Sequence, residues 1–206
     1  MLFHKHKIVF VGIPKNASHG ILAGLANKTD RHHDHTTYMN IYHDNDEELL
    51  DTYTSLAVVR NPYERAYSCW NYLTQIEELE RKFNISNFEE YVHALESKNR
   101  FNCEMTHENL VDHELTFPQH RFIAFKNIIL VDKILRQETL DADWDEFVKE
   151  YNKTSQFKIK TTLKKHNSME YKEPDWTKVY TPEMYSIINE YYKKDFELFN
   201  YEMITK

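Results

Sequence analysis

Two short stretches carry most of the residues in this chain that are suited to chemistry. Ile8-Val9-Phe10-Val11 runs into Gly12-Ile13-Pro14-Lys15-Asn16-Ala17-Ser18-His19, and a helical pattern covers residues 17–27. A strand that turns tightly into a helix aims backbone N–H groups at one point, where the positive end of the helix dipole favours an anion. Lys15 adds a mobile charge there, and Asn16 and Ser18 add short polar donors. The chain's 3 glycines, Gly12, Gly20 and Gly24, all fall in this stretch, where backbone must approach something closely.

The second stretch is Leu56-Ala57-Val58-Val59 followed by Arg60-Asn61-Pro62-Tyr63-Glu64-Arg65-Ala66-Tyr67-Ser68. Asn61 is a good N-cap, Pro62 suits the first helical position, and Glu64 can close a capping box. The helix is expected to run to about Lys82. Arg60 then sits at the carboxyl end of a strand, where open α/β sheets bind ligands. Arg65 and Ser68 share a helix face, and an arginine with a hydroxyl suits a phosphate. The plainer alternative is a capped helix whose arginines make surface ion pairs.

Between these stretches lies His32-His33-Asp34-His35-Thr36-Thr37-Tyr38, with His43 beyond. Three readings stand. The cluster could ligate zinc, but it has no cysteine and no helical H-x-x-x-H spacing. It could be a solvated loop, or it could supply a general base, since histidine titrates in the useful range. His33 and His35 point the same way in an extended chain.

The elements that must position these residues follow from the apolar pattern. Near-continuous apolar strands alternating with helices predict a parallel sheet covered on both faces. Ile128-Ile129-Leu130-Val131, ending at Asp132, reads as a third such strand. Residues 147–151 and 182–199 read as helices, the latter with Met184, Ile187, Ile188, Tyr191 and Phe196 along one face. Residues 30–46 and 153–178 read as polar connections. The expectation is one α/β domain over residues 1–206, with a central parallel sheet flanked by helices.

Composition narrows the function classes. The 206 residues are 41% apolar, 14% aromatic and 29% charged, enough for one ordinary core. A net charge of −7 argues against a nucleic-acid coat or an anionic membrane surface, so a bound anion needs a local site. No apolar run is long enough to span a bilayer, and the first residues do not read as a signal peptide. Cys69 and Cys103 form no CxxC pair, which fits reduced thiols in a cytoplasmic protein. The sequence specifies no oligomeric state.

The first loop is not the P-loop G-x-x-x-x-G-K-[ST], because Lys15 follows Gly12 by only three residues, with Pro14 between them. Its spacing resembles the 5′-phosphosulfate loop of sulfotransferases that use 3′-phosphoadenosine 5′-phosphosulfate (PAPS). The stretch from Arg60 to Ser68 resembles the 3′-phosphate motif R-[DN]-P-x-x-R-x-x-S of the same family. The resemblance implies a P-loop-like fold. It implies PAPS as donor and its desulfated product PAP as a ligand. Pro14, Lys15, Asn16, Ala17, Ser18 and His19 fall on the 5′ side, and Arg60 and Ser68 fall on the 3′-phosphate. Phe117-Pro118-Gln119, the segment from Ile134 to Leu140, His166-Asn167 and the segment from Tyr192 to Tyr201 look like the carbohydrate-type branch.

His33-Asp34-His35-Thr36-Thr37-Tyr38-Met39-Asn40-Ile41 is similar to the H-x-H-x-x-Y-x-[DN]-[FI] segment of heparan sulfate 2-O-sulfotransferases. That similarity implies His35 as base, assisted by His33, with Glu64 or Glu104 as alternatives. Lys15 completes the implied catalytic set. The expected reaction is in-line transfer of a sulfuryl group to a hydroxyl of a glycan or other small molecule. The transferred group carries one negative charge, so no obligatory metal is expected. Trp70, Tyr72, Trp144 and Trp176 suit either sugar stacking or the core, and Lys164-Lys165-His166 suits a lid or a solvated charge run.

Two rival readings remain. A small P-loop kinase or NTPase draws support from Ile128-Ile129-Leu130-Val131-Asp132 as a Walker B-like strand. A non-catalytic module would bind PAP without turnover.

Overall fold

Residues 1–25, 36–77, 79–96, 114–160, 163 and 175–205 are described by the structure, a computed structural model. The chain opens with β1 (Leu2–Phe3), β2 (Ile8–Val11), α1 (Ser18–Leu25), α2 (Tyr38–His43), α3 (Glu47–Leu50) and β3 (Thr54–Val59). Then come α4 (Pro62–Gln75), α5 (Phe88–Glu96), α6 (His120–Ile123), β4 (Ala124–Phe125), β5 (Ile128–Ile129) and β6 (Lys133–Arg136). The last helices are α7 (Leu140–Thr154), α8 (Pro182–Tyr191) and α9 (Lys193–Phe199). They form two compact units, one from Met1–Arg60 with Gln119–Lys172, the other from Asn61–Pro118 with Glu173–Lys206.

The first unit is built on a sheet of order β1-β2-β3-β6. β2 and β3 are parallel, in register from Ile8↔Thr54 to Val11↔Ala57, and β3 and β6 are parallel, from Leu56↔Lys133 to Val59↔Arg136. β1 adds an antiparallel edge. Ile8, Phe10, Leu56, Val58 and Leu135 pack with Ile21, Leu22 and Leu25 of α1 and Trp144, Phe147 and Val148 of α7. Val9, Val11, Ala57 and Val59 are buried too, as expected of a parallel sheet covered on both faces. Gly24 suits this packing, because a Cβ there would stand 3.0 Å from the Trp144 ring, a tight contact.

The third parallel strand is not the expected one. Lys126 and Asn127 both have positive φ (47° and 66°), the backbone of a tight hairpin turn, so Ile128 and Ile129 fold back on Phe125 and Ala124. Ile128 stands 66% exposed. Lys133–Arg136, less apolar in sequence, takes the place beside β3. Within residues 30–46, read as a connection, α2 forms with Thr37 as its N-cap, and α3 follows with Asp46 as its N-cap.

The second unit is an aromatic helical cluster. Asn61 caps α4 by accepting from the Tyr63 N–H at 3.0 Å, with Pro62 at the first helical position. α4 ends at Gln75, short of Lys82. Glu77 takes a left-handed φ of 55°, and a π-helical turn follows at Leu79–Phe83. Tyr63 stacks on Trp176, and Tyr180, Tyr185 and Phe196 lean edge-on or tilted against it. The expected last helix is two: α8 breaks at Tyr192, whose hydroxyl donates to Thr116 O at 3.0 Å. No helix among the described residues is long and apolar enough to cross a membrane.

Candidate functional site

β2 hands the chain to α1 through Gly12–Ala17, and the loop's backbone is unusual. Lys15 and Ala17 have φ of 66° and 54°, and neither is glycine. Left-handed backbone costs an L-residue about 1–2 kcal/mol, so the surrounding structure imposes this shape. Asn16, between them, is fully buried. Its N–H donates to Ile13 O at 3.3 Å, and the Ser18 hydroxyl donates to the same carbonyl at 3.3 Å. The Ala17 and Ser18 N–H groups make no hydrogen bond among the described residues. Pro14 is buried, Lys15 is half-buried and His19 is exposed.

The Asn16 side chain ties this loop to the end of the next strand. Its Nδ2 donates to Val58 O at 2.8 Å and to Gln119 Oε1 at 2.6 Å, while its Oδ1 is buried without a partner among the described residues. Gln119 Oε1 also accepts from the Arg60 N–H at 2.8 Å, and Gln119 Nε2 donates to Arg60 O at 2.8 Å. The Arg60 guanidinium, only 4% exposed as a residue, donates through Nη1 to Lys15 O at 3.3 Å. Lys15 and Arg60, 45 positions apart, are therefore neighbours in the first unit. Gln119 is the functional-site residue that sequence reasoning did not single out. Its one signal is the Phe117-Pro118-Gln119 stretch.

In the second unit, Ser68 lies on α4 and is 8% exposed. Arg65, read as a partner of Ser68 for phosphate, is instead a core residue. It is fully buried and donates to Phe117 O at 2.9 Å and Leu115 O at 3.1 Å. Desolvation works against its charge, but Cys69, Tyr192, Asp195 and Tyr91 outweigh it and hold the guanidinium more firmly protonated than usual. The buried Cys69 donates its thiol to Leu115 O.

Several other expectations resolve. Glu64, an alternative base, accepts from Trp176 Nε1 at 2.9 Å. Trp176, half-buried, stacks on Tyr63, whereas Trp144 is fully buried with its Nε1 directed at Lys160 O and is a core residue. Asp132 precedes β6 and accepts from both the N–H and the hydroxyl of Ser55, near the start of β3, at 2.8 and 2.7 Å. It thus lies at the amino end of the parallel strands, opposite the end where a Walker B aspartate works, and the kinase reading loses its support. His33 and His35, with His32 and Asp34, lie outside the described residues, as do Cys103, Glu104, Lys164, Lys165 and His166. Among the described residues no group of His, Cys, Asp and Glu is arranged to hold a metal ion.

The geometry brings together two loops at neighbouring strand ends, with a lysine on one and an arginine on the next. No curated protein and no solved structure matches the chain. A family model does: that of the Sulfotransferase family, over residues 1–202. That span takes in the Lys15 loop, Arg60, Gln119 and Ser68, and the chain accordingly belongs to the sulfotransferase family, whose members are transferases of the sulfuryl group.

Proposed function

We propose that this protein moves a sulfuryl group from PAPS to a hydroxyl of a glycan or other small acceptor, as a heparan sulfate 2-O-sulfotransferase-like enzyme. The family match takes in segments of both units, which supports reading residues 1–206 as one P-loop-like sulfotransferase domain. The observation that carries the donor assignment is the buried network joining Asn16, Gln119 and Arg60, with the Arg60 guanidinium on Lys15 O. It ties together two strand ends suited to anions.

The loop suits a phosphosulfate on grounds beyond charge. Left-handed residues stand on both sides of Asn16, and N–H groups of turns built with such residues bind anions elsewhere. Pro14, Lys15, Asn16, Ala17, Ser18 and His19 would hold the 5′-phosphosulfate. Arg60 and Ser68 would hold the 3′-phosphate, the group that separates PAPS from ATP. The bound donor supplies an activated sulfuryl group on a phosphate leaving group. Lys15 and the loop N–H groups stabilise the charge that grows on the leaving oxygen as the sulfur–oxygen bond breaks. His35, assisted by His33, takes the proton of the acceptor hydroxyl as its oxygen bonds to sulfur. Alignment supplies the rest of the acceleration, as in phosphoryl transfer, and no step calls on a metal ion.

Thermal unfolding with ligands tests this reading. PAP without magnesium is expected to stabilise the protein by more than about 1 kcal/mol at saturation. Labelled sulfate from PAPS is expected on a member of a glycan and hydroxyl library. Stabilisation by magnesium ATP but not by PAP overturns the donor, and PAP binding without any transfer overturns catalysis.

A further inference from the structure

We propose that Gln119 is a positioning residue that fixes the separation of the two anion loops, so that the protein reads a doubly phosphorylated nucleoside as a single ligand. This rests on the donor reading above and adds a residue to it.

Arg60 stands just past the ladder. The last registered pair is Val11↔Ala57 on the β2 side and Val59↔Arg136 on the β6 side. Beyond it, the Gln119 side-chain amide bonds the Arg60 peptide. Gln119 Oε1 accepts the Arg60 N–H and Nε2 donates to the Arg60 carbonyl, both at 2.8 Å, as an adjacent strand would. The same oxygen accepts from Asn16 at 2.6 Å, so the amide spans from one loop to the other. Its orientation follows from the network, since two donors converge on the atom that must be oxygen.

Gln119 and Asn16 are both fully buried, which shields these bonds from competing water. A further tie between the loops is the Arg60 Nη1 bond to Lys15 O, at 3.3 Å. That bond comes from the same guanidinium that is to hold a phosphate. When the phosphate draws on it, the Gln119 amide still holds the Arg60 backbone. A ligand with phosphates on both ends of a stiff nucleoside gains its second contact only if the two sites keep their spacing. A ligand with one phosphate samples one loop and is indifferent to the spacing.

The test is a calorimetric titration of the full chain with PAP, adenosine 5′-monophosphate and adenosine 3′-monophosphate. Gln119→Met removes donor and acceptor at nearly constant volume, and is expected to weaken PAP binding by about tenfold or more. Each monophosphate is expected to lose less than about threefold, a ratio that general destabilisation would not produce. Gln119→Glu keeps the acceptor and loses the donor, so it should fall between; should the methionine variant fail to fold, it carries the same comparison. Unchanged PAP affinity in a folded variant, or equal losses for PAP and both monophosphates, overturns the role of Gln119. A parent protein that binds no PAP at all overturns the donor reading instead, and this proposal with it.

Discussion

Arg65→Met keeps most of the aliphatic stem and deletes a fully buried guanidinium that donates to Phe117 O at 2.9 Å and Leu115 O at 3.1 Å. Both carbonyls then lose a charged donor. A hydrogen bond to a charged group contributes about 1.5–3 kcal/mol, so the pair amounts to about 3–6 kcal/mol. Asp195, also fully buried, is among the groups whose charge favours the guanidinium, and the loss of that partner acts in the same direction. For a chain of this length each kcal/mol moves the thermal midpoint by about 2–4 °C, so the midpoint should fall on the order of 10–20 °C. Arg60→Met loses the longer bond to Lys15 O at 3.3 Å. That bond is worth about 1 kcal/mol, a few degrees at most, while PAP affinity should fall by about tenfold or more. Differential scanning fluorimetry and PAP titration on the two variants decide the matter. An Arg65→Met protein that melts within a few degrees of the parent refutes the assignment of Arg65 to the core.

Other perturbations separate the remaining roles. Lys15→Ala should lower sulfate transfer by about 10²–10³ with the melting curve unchanged, as loss of one preorganised donor does; full turnover excludes Lys15 from catalysis. Asp132→Ala strips the acceptor from the Ser55 N–H and hydroxyl and should cost about 1–3 kcal/mol in urea unfolding, yet leave PAP affinity intact. His35→Ala, alone and with His33→Ala, should remove the limb of the pH–rate profile that reports the base; an unchanged profile discards both histidines. Burial, and then the charge of Lys5, hold the His6 pKa below its ordinary value. The unfolded chain therefore binds the His6 proton more tightly, and the stability this gives is full above about pH 6.5 and is lost as the pH falls through the folded value. The urea midpoint should drop between about pH 7.5 and 5.5, and His6→Gln should reduce that drop.

How much of this is legible in the sequence differs element by element. β2 and β3 are readable because a near-continuous apolar, β-branched run has few other outcomes, and Asn61-Pro62 marks the start of α4 with purely local chemistry. The Thr37 and Asp46 caps were equally local signals for α2 and α3, though those helices are only 6 and 4 residues long. β6 is hidden because its sequence, Lys133-Ile134-Leu135-Arg136, is less apolar than the Ile128-Ile129 strand nearby. The left-handed pair Lys126-Asn127 sends those isoleucines into an exposed hairpin instead.

The contiguous residues by themselves determine that two strand–turn–helix units each offer an anion a lysine or an arginine at the strand's end. They cannot determine which arginine faces a ligand and which is swallowed by a core. Arg60 and Arg65 have similar neighbours in sequence and different burial partners, Lys15 in one case and Leu115 and Phe117 in the other. Nor can they single out Gln119, whose partners lie 59 and 103 positions away. Propensity and capping act over one or two turns of chain, whereas the choice of a buried amide's partners is made only when distant strands close into one sheet.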